Sequence, residues 1–287
     1  MEENIITNDY IEAFGAIESD PDIRDYRIAT STVNEAREAF PNEFELEMPT
    51  VKNQGSVGSC VAHSLATVIE YYNKKQHNED IEMSVGYIYG NRGALDYQDR
   101  GMITRQAIAN VCAEGDVPNT LFPFNEEVPG IIEKVKAEKD NLEQSALPFK
   151  FTSYFKVKTV DEIKTALIKG CPVVFAIDWY KGMTVENGIL TSNFEGKSGS
   201  HCMVIYGWDE WGLKFQNSWG SRWGNGGRAI LPYDFEIREA YCVIDEYVGD
   251  INIKKPFKAK TAFGKRLVRC LNKIYCFFYR IWYNTKH

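Results

Sequence analysis

Gln54-Gly55-Ser56-Val57-Gly58-Ser59-Cys60 runs directly into Val61-Ala62-His63-Ser64-Leu65-Ala66-Thr67-Val68-Ile69-Glu70-Tyr71-Tyr72. In the second stretch Val61, Leu65, Val68, Ile69 and Tyr72 recur at helical spacing and predict an amphipathic helix over 60–74. Cys60 thus stands at a helix N-terminus, where the positive end of the backbone dipole favours a thiolate. Gly55 and Gly58 let the backbone bend tightly and let a substrate come close. A free cysteine taken alone is most often a small buried hydrophobe. The flanking glycines, and Gln54 six residues upstream, turn the reading toward a nucleophile with a depressed pKa.

Working outward, the chain has four histidines, His63, His77, His201 and His287. Gly199-Ser200-His201 opens a β-like run, Cys202 to Tyr206, so the imidazole can project into a cleft from a buried strand. Asn217 lies in Gln216-Asn217-Ser218-Trp219-Gly220. An Asn accepting from an imidazole fixes its tautomer and orientation, and Trp219 can screen that bond from water. The plain readings are a satisfied structural histidine and a turn. His63, three residues after Cys60, reads either as a rival base or as a buried histidine bonded to a polar neighbour. The second reading is preferred, because His201 already fills the role of base.

Together, Gln-Gly-x-x-Gly-Ser-Cys, a Gly-x-His before a strand, and Asn-Ser-Trp-Gly-x-x-Trp-Gly-x-x-Gly over Asn217 to Gly227 resemble the papain-like cysteine peptidases. Asp22-Ile23-Arg24-Asp25-Tyr26 and Ile230-Leu231-Pro232-Tyr233-Asp234 look like bacterial and phage members without a signal peptide. The resemblance covers about residues 14–248. It implies an α+β, two-lobed fold, with a helical lobe, a β-barrel-like lobe and the active site in the cleft between. It implies Cys60 as nucleophile, His201 as base, Asn217 as its orienting partner, and the Gln54 amide with the Cys60 N–H as oxyanion donors. Gly101 falls where the family pairs with the substrate backbone in a strand-like manner. Met102, Ala176 and Cys202 fall near the pocket for the second residue before the scissile bond, where they suggest an apolar preference. Trp219 falls at the substrate site. No metal or cofactor is implied. Two positions depart from the family pattern: Val61 replaces its usual aromatic, and Val57 replaces a cysteine, which removes a disulfide.

The remaining sequence frames this site. Of 287 residues, 44% are hydrophobic and 25% charged, the balance of a globular protein. Seven scattered cysteines, no Cys-x-x-Cys and no export signal at Met1-Glu2-Glu3 lead to an expectation of reduced thiols and of a cytoplasmic location or release by a non-classical route. Four segments are expected: a mostly extended N-terminal arm, 1–49; a helical lobe, 50–148; a β-rich lobe, 149–250; and a basic tail, 251–287. Helical stretches are expected near 83–92 and 103–113, with a polar surface excursion over 126–146. Thr159-Val160-Asp161-Glu162 reads as a capping box for a helix through Ile168, ended by Gly170. Further β-like runs are Val173 to Ile177, Leu213 to Phe215 and Arg228 to Leu231. After Asp250 there are ten Lys or Arg and no acid, so the tail carries +10 and the body −17. Leu267, Leu271, Ile274, Phe278, Ile281 and Trp282 share one side of a predicted basic amphipathic helix. Residues 252–287 therefore suit an anionic membrane surface, an acidic partner, or the chain's own acidic body. No motif specific for nucleic acid is present. The expected partner is a peptide or protein substrate. The function expected is endopeptidase action through an acyl-enzyme. The rivals are acyl transfer by a transpeptidase or amidase with the same site, and a catalytically silent binding scaffold.

Overall fold

The computed structural model describes residues 12–245, apart from 23–24, 26, 29, 38–39, 94–100, 125–129 and 192–194. The predicted basic amphipathic helix of 263–283, within the tail 251–287, lies outside the described residues. The helical half contains α1 (Thr30–Arg37), α2 (Cys60–His77), α3 (Val85–Gly90), α4 (Thr104–Glu114) and α5 (Ile131–Ala146). Short strands β1 (Ala16–Ile17), β2 (Phe44–Glu45) and β3 (Met102–Ile103) are threaded among them. Then follow β4 (Ser153–Val157), α6 (Val160–Ile168), β5 (Val173–Lys181), β6 (Thr184–Glu186), β7 (Ile189–Thr191), β8 (Glu195–Trp208), β9 (Gly212–Gln216), β10 (Arg228–Pro232) and β11 (Glu239–Ile244).

These strands pair in the order β4-β11-β5-β8-β9-β10-β7-β6, with β2 added at β8. Every pairing in that sheet is antiparallel except β10 with β7. Side chains alternate across it, and the alternation divides the core. Val174, Cys202, Val204, Tyr241 and Val243 face α2 and the helical lobe. Phe175, Ile177, Met203, Ile205 and Cys242 face the other way, onto α6. The molecule is the two-lobed α+β arrangement expected from the sequence. Helix α2 is buried from Cys60 to Asn73 on all sides, as a helix clamped between a sheet and other helices must be. Its buried Glu70 is met by Lys52 Nζ at 2.7 Å and the Met83 N–H at 2.7 Å.

Three expectations need correction. Residues 131–146 form a helix whose Ile131, Val135, Leu142 and Ala146 are buried, not a polar excursion; charges fill the faces that those residues leave to solvent. The N-terminal arm contains a helix that the sequence reading did not include, α1, which packs against α6 and is tied by Arg37 to Asp161. Strands β4 and β11 were not expected from the sequence, and they form an edge and an interior position of the sheet. The capping box is present: Thr159 Oγ1 accepts from the Glu162 N–H at 3.2 Å, and Glu162 Oε2 accepts from the Thr159 N–H at 3.2 Å. Gly170, with φ 77°, ends that helix in a conformation that suits glycine.

Candidate active site

The loop before α2 is built around Gln54. Its N–H donates to the Ser218 carbonyl at 2.8 Å, and its Oε1 accepts from Ser218 Oγ at 2.5 Å. Both bonds tie the nucleophile loop to the segment after Asn217. The Gln54 amide is thereby held with Nε2 pointing inward, donating to the Val57 carbonyl at 2.8 Å. Ser59 caps α2 without a side-chain bond to its amides, so the first turn presents its N–H groups around Cys60.

Facing this turn, β8 brings His201 and Cys202. The backbone N–H of Cys202 is directed at Cys60, and His201 is the residue before it in β8. His201 Nε2 and Asn217 Oδ1 are 2.6 Å apart. An amide oxygen only accepts, so Nε2 carries the hydrogen and Nδ1 is the basic nitrogen of the neutral ring. That Nδ1 is buried and has no hydrogen-bond partner among the described residues. Asn217 is itself fixed, because its Oδ1 accepts the Ser218 N–H at 2.7 Å and its N–H donates to the Gly227 carbonyl at 2.9 Å. Trp219 stacks on the imidazole with centroids 4.4 Å apart and planes 27° apart, covering the His201–Asn217 bond as its position in the sequence suggested.

The cleft is not open. The N-terminal segment runs through it as a strap. The Ala13 carbonyl accepts from Gln54 Nε2 at 3.2 Å and from Trp219 Nε1 at 3.3 Å. Phe14 sits edge-on to His201 and Trp219. The Gly15 N–H donates to the Ser200 carbonyl at 3.3 Å, and the Gly15 carbonyl accepts from the Met102 N–H at 2.9 Å. Strand β1 then pairs in parallel with β3, Ala16 opposite Met102. The approach is so close that a Cβ on Gly15 would lie 1.8 Å from the Gly58 oxygen, and one on Gly101 would lie 2.5 Å from the Gly15 oxygen. Gly101, at φ 146°, therefore stands against an extended backbone, and the backbone it meets is the chain's own. Beyond β1, Glu18 pairs with Arg238.

This strap reverses one expectation. Cys60 and His201 are fully buried. Burial pushes the Cys60 thiol up to about 11, against the opposing pull of the N–H groups of Cys202, Gly15 and Val61. Burial likewise lowers His201 to about 4, and its bond to Asn217 only partly offsets this. The helix dipole and imidazole are in place, but exclusion of water outweighs them, and the closed site holds a neutral thiol and a neutral imidazole. His63 is the buried histidine of the preferred reading. Its Nδ1 lies 3.0 Å from the Ser59 carbonyl and 3.1 Å from Ser59 Oγ, and its ring packs edge-on to Phe124.

Of the remaining residues singled out from the sequence, Met102, Ala176 and Cys202 are all buried, and Ala176 and Cys202 are register partners across β5 and β8. Sequence reasoning missed Ser218, Ser200 and the acid–base cluster beside it. In that cluster Asp178 accepts from Ser200 Oγ at 2.9 Å, from Arg238 at 2.6 Å and from Lys197 at 2.9 Å. Charged residues spread over sixty positions carry no local pattern; only strand pairing brings them together. Among the described residues no group of three or more His, Cys, Asp or Glu is arranged to hold a metal ion. No helix among them is long and apolar enough to cross a membrane.

Residues 39–247 match the papain family cysteine protease domain. The chain belongs to that family. It is 26% identical over 276 residues to an uncharacterized peptidase C1-like protein of Acanthamoeba polyphaga mimivirus, with 85% of each chain covered. It is 28% identical over 210 residues to ananain of Ananas comosus, covering 68% of this chain but 55% of that one. Among solved structures it is similar to xylellain, a cysteine protease from Xylella fastidiosa. The TM-score is 0.70 at 25% identity, covering 82% of this chain and 96% of the other. Its reaction class is that of the family, hydrolysis of peptide bonds by a cysteine thiol.

Proposed function

We propose that this chain is a cysteine endopeptidase whose centre is Cys60, His201, Asn217 and Gln54, held closed by residues 13–19. The observation that carries the reading is the Ala13 carbonyl on Gln54 Nε2, a peptide carbonyl already seated on a donor suited to an oxyanion. Once the strap leaves, the Cys60 proton passes to His201 Nδ1 and the thiolate attacks the substrate carbonyl carbon. Gln54 Nε2 and the Cys60 N–H stabilise the oxyanion. His201 returns its proton to the leaving amine, giving a thioester. Water, deprotonated by His201, then cleaves the thioester and restores the thiol. Asn217 keeps the ring in the tautomer that leaves Nδ1 basic.

Gly15→Ala in the full chain tests this. A methyl group at residue 15 has no room against Gly58, so the strap must leave the cleft. The variant should hydrolyse peptides that the parent leaves intact, and Cys60→Ala in the same background should abolish turnover. Turnover that survives Cys60→Ala would overturn the assignment. Adding amine acceptors and finding transfer products would shift the reading to an acyl transferase.

The four-segment division, the kinship with bacterial and phage members and a cytoplasmic location belong to the same reading; the likeness to xylellain supports the second of these. Residues 252–287 we assign to an anionic membrane surface or acidic partner, on their charge and aromatic content. Deleting them should leave peptide turnover intact and remove salt-sensitive binding to anionic vesicles.

A further inference from the structure

A second thiol stands beside the nucleophile. Cys202 is buried on β8, on the same face of the sheet as Val204 two residues on, and packs in one core with Cys60, Val61 and Leu65 of α2. Two contacts fix its place along α2. The Cys202 N–H is directed at the Cys60 sulfur, and the Ser64 hydroxyl is directed at the Cys202 sulfur. Cys60 and Ser64 are four residues apart on one helix, so their side chains stand one above the other, with Cβ atoms about 5–6 Å apart. Cys202 therefore faces this column with its backbone at Cys60 and its thiol one turn along. Its register partner on β5 is Ala176, whose methyl leaves the thiol room to turn. The other described cysteines stand apart: Cys171 and Cys242 belong to the core beyond the sheet, and Cys112 lies on α4.

The two thiols influence each other. Burial holds the Cys202 thiol well above its ordinary value, and Cys60 beside it adds to the rise, against the Ser64 hydroxyl and the Met203 N–H. Two like charges side by side resist forming together, so the pair carries one thiolate at a time. Cys60 takes that charge, because His201 accepts its proton. Once the strap leaves, the Cys60 thiolate meets solvent and the oxidants dissolved in it. The hydrolytic cycle has no use for the Cys202 thiol.

We propose that Cys202 is a resolving cysteine for Cys60: hydrogen peroxide converts the open site to a Cys60–Cys202 disulfide, a reversible off state that keeps the nucleophile from over-oxidation. This rests on the reading of Cys60 as a nucleophile unmasked when the strap departs. The Cys60 thiolate attacks one peroxide oxygen and the O–O bond breaks. The leaving hydroxide takes the proton held by His201, giving a Cys60 sulfenic acid and water. The sulfenic acid is neutral, so the charge that opposed ionisation of Cys202 is gone. Rotation about χ1 carries the Cys202 sulfur from Ser64 to Cys60, where it attacks the sulfenic sulfur. The S–O bond breaks, the S–S bond forms, and hydroxide leaves with the Cys202 proton as a second water. Two thiols are oxidised to one disulfide, and one peroxide is reduced to two waters. Without Cys202 the sulfenic acid goes on to sulfinic acid, which thiol reagents do not reverse.

The test treats the full-length Gly15→Ala chain with hydrogen peroxide. Peptide turnover is measured before peroxide, after it, and after dithiothreitol, and the cysteines are mapped by mass spectrometry without reduction. A Cys60–Cys202 crosslink, two hydrogens lighter than the paired peptides, should form as turnover falls, and dithiothreitol should return most of the lost turnover. Cys202→Ala in the same background is compared with its own untreated rate. There peroxide should leave Cys60 as sulfinic acid, and dithiothreitol should return about a tenth of the lost turnover or less. A treated Gly15→Ala chain whose Cys60 is free, sulfinic or paired with another cysteine overturns the proposal, and that result needs no folded Cys202→Ala. Full recovery in a folded Cys202→Ala overturns it as well. Absence of turnover before peroxide would overturn the catalytic reading, while the crosslink, read by mass without turnover, decides the role of Cys202 separately.

Discussion

His63 lies on α2 three residues after Cys60 and His201 lies on β8, and their surroundings shift them in the same direction. Both are buried, and both are lowered to about 4, chiefly by burial. What differs is the second nitrogen. In His63, Nδ1 is engaged by Ser59, on the same turn of the same helix. In His201, Nε2 is fixed by Asn217 and Nδ1 has no partner among the described residues. A depressed pKa therefore does not mark the base here. An unmet basic nitrogen does, because only such a nitrogen can take up the proton of the nucleophile.

Substitution should break this comparison cleanly. In the Gly15→Ala background, His201→Ala should lower kcat/KM by roughly 10²–10⁴, the usual scale for a general base. His63→Ala should leave turnover within a few-fold of its parent and instead destabilise the fold by about 1–3 kcal/mol, from a lost buried bond and lost packing on Phe124. Steady-state kinetics and denaturant melts of the two variants check this. The reverse pattern in folded proteins would move the base to His63. Asn217→Ala should act less strongly, by about ten-fold to a hundred-fold, because a thiolate–imidazolium pair still forms but the ring is no longer held in one tautomer. A loss as large as that of His201→Ala would mean that Asn217 does more than orient.

Acid should separate the two histidines in another way. A solvated imidazole takes up a proton near 6.5, whereas each of these stays neutral to about 4. Between those values the open or unfolded chain binds a proton that the closed chain does not. The closed state is therefore destabilised as pH falls through 6.5, by about 3 kcal/mol per histidine at pH 4. For His201 opening of the strap suffices to admit the proton, while His63 requires disruption of the core around α2. Amide exchange of residues 13–17, corrected for intrinsic rate, should accelerate from pH 7 to pH 5 before that of residues 61–73 does. Simultaneous acceleration of both would mean that the strap and α2 open as one unit.

The sequence made some of this legible and hid the rest, for physical reasons. Gln54, Cys60, His201, Asn217 and Trp219 lie in short segments whose glycines and tryptophans are local signals; the structure joins His201 to Asn217 and Trp219 and ties Gln54 to them through Ser218. The capping box of α6 was legible because its bonds close over three residues. The strap was not, because Ala13-Phe14-Gly15-Ala16 carries no periodicity and its partners are up to 206 residues away. Without the strap in view, the helix dipole argued for a depressed thiol, and burial argues the opposite.

The central claim is that Cys60 is a nucleophile assembled with His201 and masked by the strap. Alkylation of the native chain with iodoacetamide near pH 6, mapped by mass spectrometry, tests it in the parent and in Gly15→Ala. In the parent, Cys60 should label no faster than the other buried cysteines, in keeping with a thiol pushed up to about 11. In Gly15→Ala, Cys60 should become the fastest-labelling cysteine in the chain, as a rehydrated thiolate–imidazolium pair requires. A Cys60 that stays inert in Gly15→Ala, or that labels equally fast in both proteins, would contradict the account.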